Sequence, residues 1–119
     1  MNAPVAYRCC KPWLLLESVD GERETFLELA RIFRNETVSR YEDIAAAAEA
    51  GACGDMGFEA HSLKGTAGAV GATELMALLQ DIEHAGLKRG QPCSAEQLAR
   101  LRQLLQLARD DMDAFLRTF

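Results

Sequence analysis

The stretch Glu59-Ala60-His61-Ser62-Leu63-Lys64-Gly65-Thr66-Ala67-Gly68-Ala69-Val70-Gly71-Ala72 decides how this chain folds. An α-helix turns by about 100° per residue. Wound that way and extended back to Cys53, the stretch gathers Cys53, Met56, Ala60, Leu63, Ala67 and Val70 on one side, at spacings that alternate between three and four. That is an apolar seam of the kind that packs against other helices. The opposite side carries Gly57, Phe58, His61, Lys64, Gly65 and Gly68. A histidine therefore stands on the solvent face, one turn from a lysine, with glycines above and below it. Each glycine inside a helix costs about 1 kcal/mol against alanine, and no turn is needed here, because the seam runs straight through. What an exposed glycine provides is a missing Cβ, which lets another surface approach closely. A tight helix crossing would also use small residues, but these glycines lie away from the seam. Gly57, Gly65 and Gly68 are accordingly read as a flat docking area around the imidazole of His61. For Phe58 two placements stay open, out on this face or tucked against the preceding helix.

Working outward, the chain has 119 residues and a formal net charge of −5. The length suits one domain with a single modest core. The acidic balance argues against a nucleic-acid or anionic-membrane partner. The longest strongly apolar run, Trp13-Leu14-Leu15-Leu16, is far too short to span a bilayer. The start Met1-Asn2-Ala3-Pro4 carries no secretory signal, so a cytoplasmic protein is expected. The initial methionine and the full set of helices lean towards a free-standing protein or a terminal domain. Cys9, Cys10, Cys53 and Cys93 match no zinc spacing, and adjacent Cys9 and Cys10 are poorly placed for an ordinary disulfide. All four are read as reduced thiols.

Residues 1–12 read as a flexible N-terminal arm, and residues 13–119 as the domain. Trp13 to Val19 suits a short helix. Asp20 is a reasonable N-cap for the long element that follows, with Glu22 and Glu24 in its first turn. Phe26, Ala30, Phe33, Thr37, Tyr41, Ile44 and Ala48 then repeat at helical spacing. They predict one helix to Ala50, or two joined at a kink near Asn35–Val38, stopped by Gly51. Asp55 is a possible cap for the histidine helix, and Gly71 ends or bends it. A further helix runs from Ala72 to Leu87. Lys88 to Cys93, with Gly90 and Pro92, is a loop. Ser94 and Gln97 form a capping box for a last amphipathic helix through Leu98, Leu101, Leu105, Ala108, Met112 and Phe115. No segment alternates as a strand would. The expected fold is all-α: an antiparallel four-helix bundle with a short extra N-terminal helix.

The run His61-Ser62-Leu63-Lys64-Gly65-Thr66-Ala67, followed by Val70-Gly71-Ala72 and Leu75, resembles the signature of the histidine-containing phosphotransfer (HPt) domain of bacterial multistep phosphorelays. That family has His-x-Leu-Lys-Gly-small-Ala, then an aliphatic-Gly-Ala step, and a Glu near the end of the next helix, where this chain has Glu83. Phe33 stands where the family has a core phenylalanine, while Ala52 and Cys53 replace an Asp and an aromatic that often precede the histidine helix. The likeness runs from residue 13 to the C-terminus. It implies a phosphorelay intermediate that accepts a phosphoryl group on His61 from a receiver-domain aspartate and passes it to another. The implied partners are response-regulator receiver domains, with Phe58 as part of the apolar docking contact, and a hybrid sensor histidine kinase; a monomer is expected. No cofactor belongs to the domain itself, because the partner receiver brings the acidic pocket and Mg²⁺. The implied activity is that of a stoichiometric phosphocarrier, without ATP-dependent kinase activity.

The residues themselves are consistent with that chemistry. Neutral imidazole is a good phosphoryl acceptor. Lys64 opposes protonation of the ring by like-charge repulsion and neutralises part of an incoming phosphoryl charge. The positions four residues either side of His61 are glycines, so no carboxylate of its own helix serves as a base. A phosphate-binding loop, a kinase signature and a Mg²⁺-binding carboxylate cluster are all missing from the sequence. His84 falls on the polar side of its helix and reads as a plain surface residue. Two other classes are open to a helical bundle of this kind. A non-phosphorylated helical adaptor that binds a receiver or kinase domain would have no need of His61-x-x-Lys64-Gly65. A metal- or haem-binding bundle would point its ligands inward, whereas His61 and His84 point out.

Overall fold

A computed structural model describes residues 6–119. Its elements are α1 (Trp13–Ser18), α2 (Arg23–Ala50), α3 (Cys53–Ala69), α4 (Thr73–Leu87) and α5 (Ala95–Thr118). Helices α2 to α5 form a ring, each packed on the next and α5 closing back onto α2. Neighbours run antiparallel, as the pairings across two of the boundaries show. Going up α3 and down α4, Gly57 meets Leu87, His61 meets Glu83, Lys64 meets Gln80 and Gly68 meets Met76. Between α2 and α5, Phe26 meets Phe119 and Arg34 meets Asp113. The fold is thus the expected antiparallel four-helix bundle, with α1 packed on α2 as the extra N-terminal helix.

The ends of these helices follow local chemistry. The N-cap of α2 is Glu22, whose carboxylate accepts from the backbone N–H groups of Glu24 (3.2 Å) and Thr25 (2.7 Å). Asp20, expected in that role, instead adopts φ 53° in the preceding turn together with Gly21, which moves the capping position two residues along. No kink interrupts α2 at Asn35–Val38. Thr37 sits there fully buried, with its hydroxyl donating to the Arg34 carbonyl at 2.9 Å. Gly51 ends α2 in the left-handed region, at φ 73°, and returns its N–H to the last turn. Helix α3 starts at Cys53 without a side-chain cap, and Asp55 lies inside its first turn, where the helix dipole favours a carboxylate. The capping box of α5 forms as read from Ser94 and Gln97.

The core is filled by the predicted seams. Phe26, Ala30, Phe33 and Ile44 come from α2, and Met56, Ala60, Leu63 and Ala67 from α3. Leu75, Leu79 and Ile82 from α4 meet Leu101, Leu104, Leu105, Ala108 and Met112 from α5. Each fully buried large side chain contributes about 1.5–3 kcal/mol relative to exposure. Among the described residues, no helix is long and apolar enough to cross a membrane.

Of the flexible arm expected over residues 1–12, residues 1–5 lie outside the described residues, while residues 8–11 are bonded to the bundle. Arg8, Cys9 and Cys10 donate their backbone N–H groups to the carboxylate of Asp111 on α5, at 2.7–3.1 Å. Lys11 donates its N–H to the Val70 carbonyl at 2.7 Å. Tyr7 packs edge-on against Trp13, with ring centroids 5.4 Å apart. The segment is a strap across one end of the bundle, tied by a carboxylate that is only 5% exposed. The four cysteines are unpaired. Burial, reinforced by Asp111, pushes the Cys9 thiol up to about 11, which leaves it little thiolate character.

Candidate functional site

Helix α3 turns Met56, Ala60, Leu63 and Ala67 inward, and this orientation fixes what faces outward. The side chain of His61 is 64% accessible, and that of Lys64, one turn on, is 23% accessible. Two residues before His61, Glu59 accepts from Arg40 of α2 at 2.9 Å, and the same guanidinium binds Glu36 at 2.5 Å. The α2–α3 boundary is thereby tied close to the histidine.

The other flank is α4. His61 Nδ1 lies 3.0 Å from Glu83 Oε1. The same oxygen is 2.8 Å from Lys64 Nζ, and Lys64 Nζ also donates to Gln80 Oε1 at 2.6 Å. The hydrogen bond from Lys64, followed by that from His61, holds the Glu83 carboxyl below its ordinary carboxylate range. An ionised carboxylate can only accept, so Nδ1 must be the donor. In the neutral ring the lone pair then belongs to Nε2, and Nδ1 stays anchored on α4. Glu83 therefore supplies the orienting carboxylate that α3 lacks. Its residue type was noted in the sequence, but its partner was not legible there, because the contact crosses between helices.

The glycines separate into two kinds. Gly65 is exposed, and a Cβ placed there would meet nothing within 4 Å. At Gly68 a Cβ would make ordinary contact with Met76 Cε at 3.5 Å. The fold itself therefore does not require glycine at either position. Gly57 is different, and the sequence reading of it as part of the open docking area is corrected. It is buried in the crossing of α3 with α4, where a Cβ would come within 2.7 Å of Leu87 Cγ. Gly86 of α4 faces it. A Cβ on Gly86 would run into the Cys53 carbonyl and approach the Gly57 nitrogen to 2.9 Å. Phe58 does not tuck against α2 but is 65% exposed, on the same helix and one turn from His61. His84 is exposed on α4.

What this arrangement offers chemically is one free imidazole nitrogen in water, a carboxylate behind the ring, an ammonium beside it, and a glycine strip next to an exposed phenyl ring. A family model described as the Hpt domain matches residues 28–111, a span that contains all of these groups. No curated protein and no solved structure matched the chain.

Proposed function

This chain belongs to the Hpt domain family, and from that premise we propose that it is a phosphorelay intermediate that takes a phosphoryl group onto His61 from a receiver aspartate and hands it to another. Hpt domains are histidine phosphotransfer modules and phosphocarriers rather than kinases. The observation that carries the assignment to His61 is the exposed ring with Nδ1 held on Glu83 at 3.0 Å, which leaves Nε2 open to a visitor.

In this reading the Nε2 lone pair attacks phosphorus in line with the acyl phosphate of the donor. The N–P bond forms as the P–O bond to the donor aspartate breaks, and that bond's electron pair leaves on the aspartate carboxylate. The ring keeps its Nδ1 proton and gains positive charge, which the ionised Glu83 carboxylate stabilises at hydrogen-bond distance. Lys64 offsets charge on the phosphoryl oxygens. The reverse sequence discharges the group onto the next receiver. Mg²⁺ would be held in the receiver's acidic pocket, where it would supply charge neutralisation for the acyl phosphate. Gly65 and Gly68 leave room for the receiver's loops, and Phe58 gives them an apolar contact. The protein acts as a cytoplasmic monomer with receiver domains and a hybrid sensor kinase as its partners.

The test is transfer from a receiver domain charged with acetyl phosphate in the presence of Mg²⁺. Label should move onto the wild-type chain in an acid-labile, base-stable form. His61→Gln should take up none, and His84→Gln should match the wild type. Labelling of the His61 variant would overturn the assignment.

A further inference from the structure

Four side chains form two rungs across the α3–α4 boundary. His61 reaches Glu83, Lys64 reaches Gln80, and a diagonal joins Lys64 to the same Glu83 oxygen that holds the ring. One oxygen thus serves two donors, and whatever draws Lys64 more tightly to Glu83 weakens the hold on Nδ1. Gln80 competes for Lys64. Its amide oxygen takes one ammonium proton at 2.6 Å, the shorter of the two contacts made by Nζ. Being neutral, it does so without adding negative charge where a phosphoryl dianion would arrive. Gln80 is exposed and contributes nothing to the core, so packing gives no reason for it. A lysine ammonium has three protons. With two engaged on α4, the third remains for a phosphoryl oxygen.

We propose that Gln80 is a positioning residue for phosphoryl transfer: it holds Lys64 beside His61 and keeps the ammonium from being captured entirely by Glu83. The proposal rests on the reading of His61 as phosphoacceptor. During transfer Lys64 exchanges part of its contact with Glu83 for the phosphoryl oxygens and stays tethered by Gln80, while Glu83 turns fully to the Nδ1–H of the charged ring. No proton leaves the cluster, and the bonds made and broken are those of the transfer step above.

The experiment measures phosphoryl uptake by the full chain at rising concentrations of a receiver charged with acetyl phosphate. It compares wild type, Gln80→Met, Lys64→Met and the double variant. Methionine keeps the length of glutamine and removes the acceptor. Gln80→Met should lower the saturating rate about two- to tenfold, the scale of one hydrogen bond, and leave the half-saturating receiver concentration unchanged. In the Lys64→Met background the same substitution should have no further effect, because its action runs through Lys64. Gln80→Glu retains an acceptor but adds charge, and should also be slower than wild type. The proposal is overturned if Gln80→Met matches wild type, if its effect persists undiminished without Lys64, or if only the half-saturating concentration moves. Absence of label on the wild type, or its presence on His61→Gln, overturns the phosphoacceptor reading instead, and Gln80's role falls with it.

Discussion

Glu83 shares one oxygen between an ammonium and an imidazole, and this sharing has a pH signature. Its carboxyl is held below the ordinary value of 4.5 by Lys64 first and His61 second. A depressed folded pKa means that the stabilisation is complete above the unfolded pKa and is lost as pH falls through the folded one. Near neutral pH, Glu83→Gln is therefore expected to cost up to about 1 kcal/mol, the scale of a surface ion pair. The gap to wild type should close once pH drops below the carboxylate range. Urea melts of both proteins across that range check this, and a gap that widens in acid contradicts it. At Gly65 the expectation has the opposite sense. A Cβ there meets nothing within 4 Å and leucine improves helix propensity by up to about 1 kcal/mol, so thermal stability should hold or rise while uptake from a charged receiver slows. Unchanged uptake would refute the docking role of that strip. His61, Lys64 and Gly65 were legible in the sequence because the wheel of a single helix contains them. Glu83's hold on the ring was not, since the only carboxylates such a wheel can test lie on α3 itself.

The α3–α4 pair explains why a helical wheel puts Gly57 on the open face although it is buried. A wheel shows which side of a helix is apolar, but glycine carries no polarity to place it. The flank that bears Gly57 and Lys64 is covered by α4, so the covered arc of α3 is wider than its apolar seam. The matching signal was Gly86, the second small residue of the crossing, which sits in an otherwise ordinary amphipathic helix. Backbone meets backbone there, so Gly86→Ala should destabilise the bundle by about 1–3 kcal/mol, the usual cost of overpacking. Gly57→Ala should cost less, because the first obstacle is the Leu87 side chain. Paired urea melts rank the two, and equal stability of Gly86→Ala and wild type would contradict the tight crossing. The helices themselves were legible almost to the residue wherever a cap or a glycine marks the end, as at Gly51, Gly71 and Ser94. They were less so at Asp20, where backbone geometry took the expected cap out of reach.

For the whole molecule, the least expected feature is the strap over the end of the bundle. Asp111 lies on the buried side of α5 between Ala108 and Met112. A charged residue on an apolar stripe was the signal available in the sequence, hidden within Asp110-Asp111-Met112-Asp113. Its carboxylate takes the N–H groups of Arg8, Cys9 and Cys10. Asp111→Ala removes a charged acceptor from all three and is expected to cost at least about 2 kcal/mol. Hydrogen exchange should quicken at the amides of residues 8–10 while the amides of α3 stay protected. Persistent protection of the strap in that variant would show that Asp111 is not what holds it. One consequence reaches from the packed interior to the reactive edge. Gly57 and Gly86 lie one helical turn below His61 and Glu83, and their close backbone contact sets where α4 sits along α3. The crossing works like the stop on a vernier: it indexes both rungs of the site from a point that never meets the phosphoryl group. A variant that merely slackens this stop would keep its bundle and lose its aim.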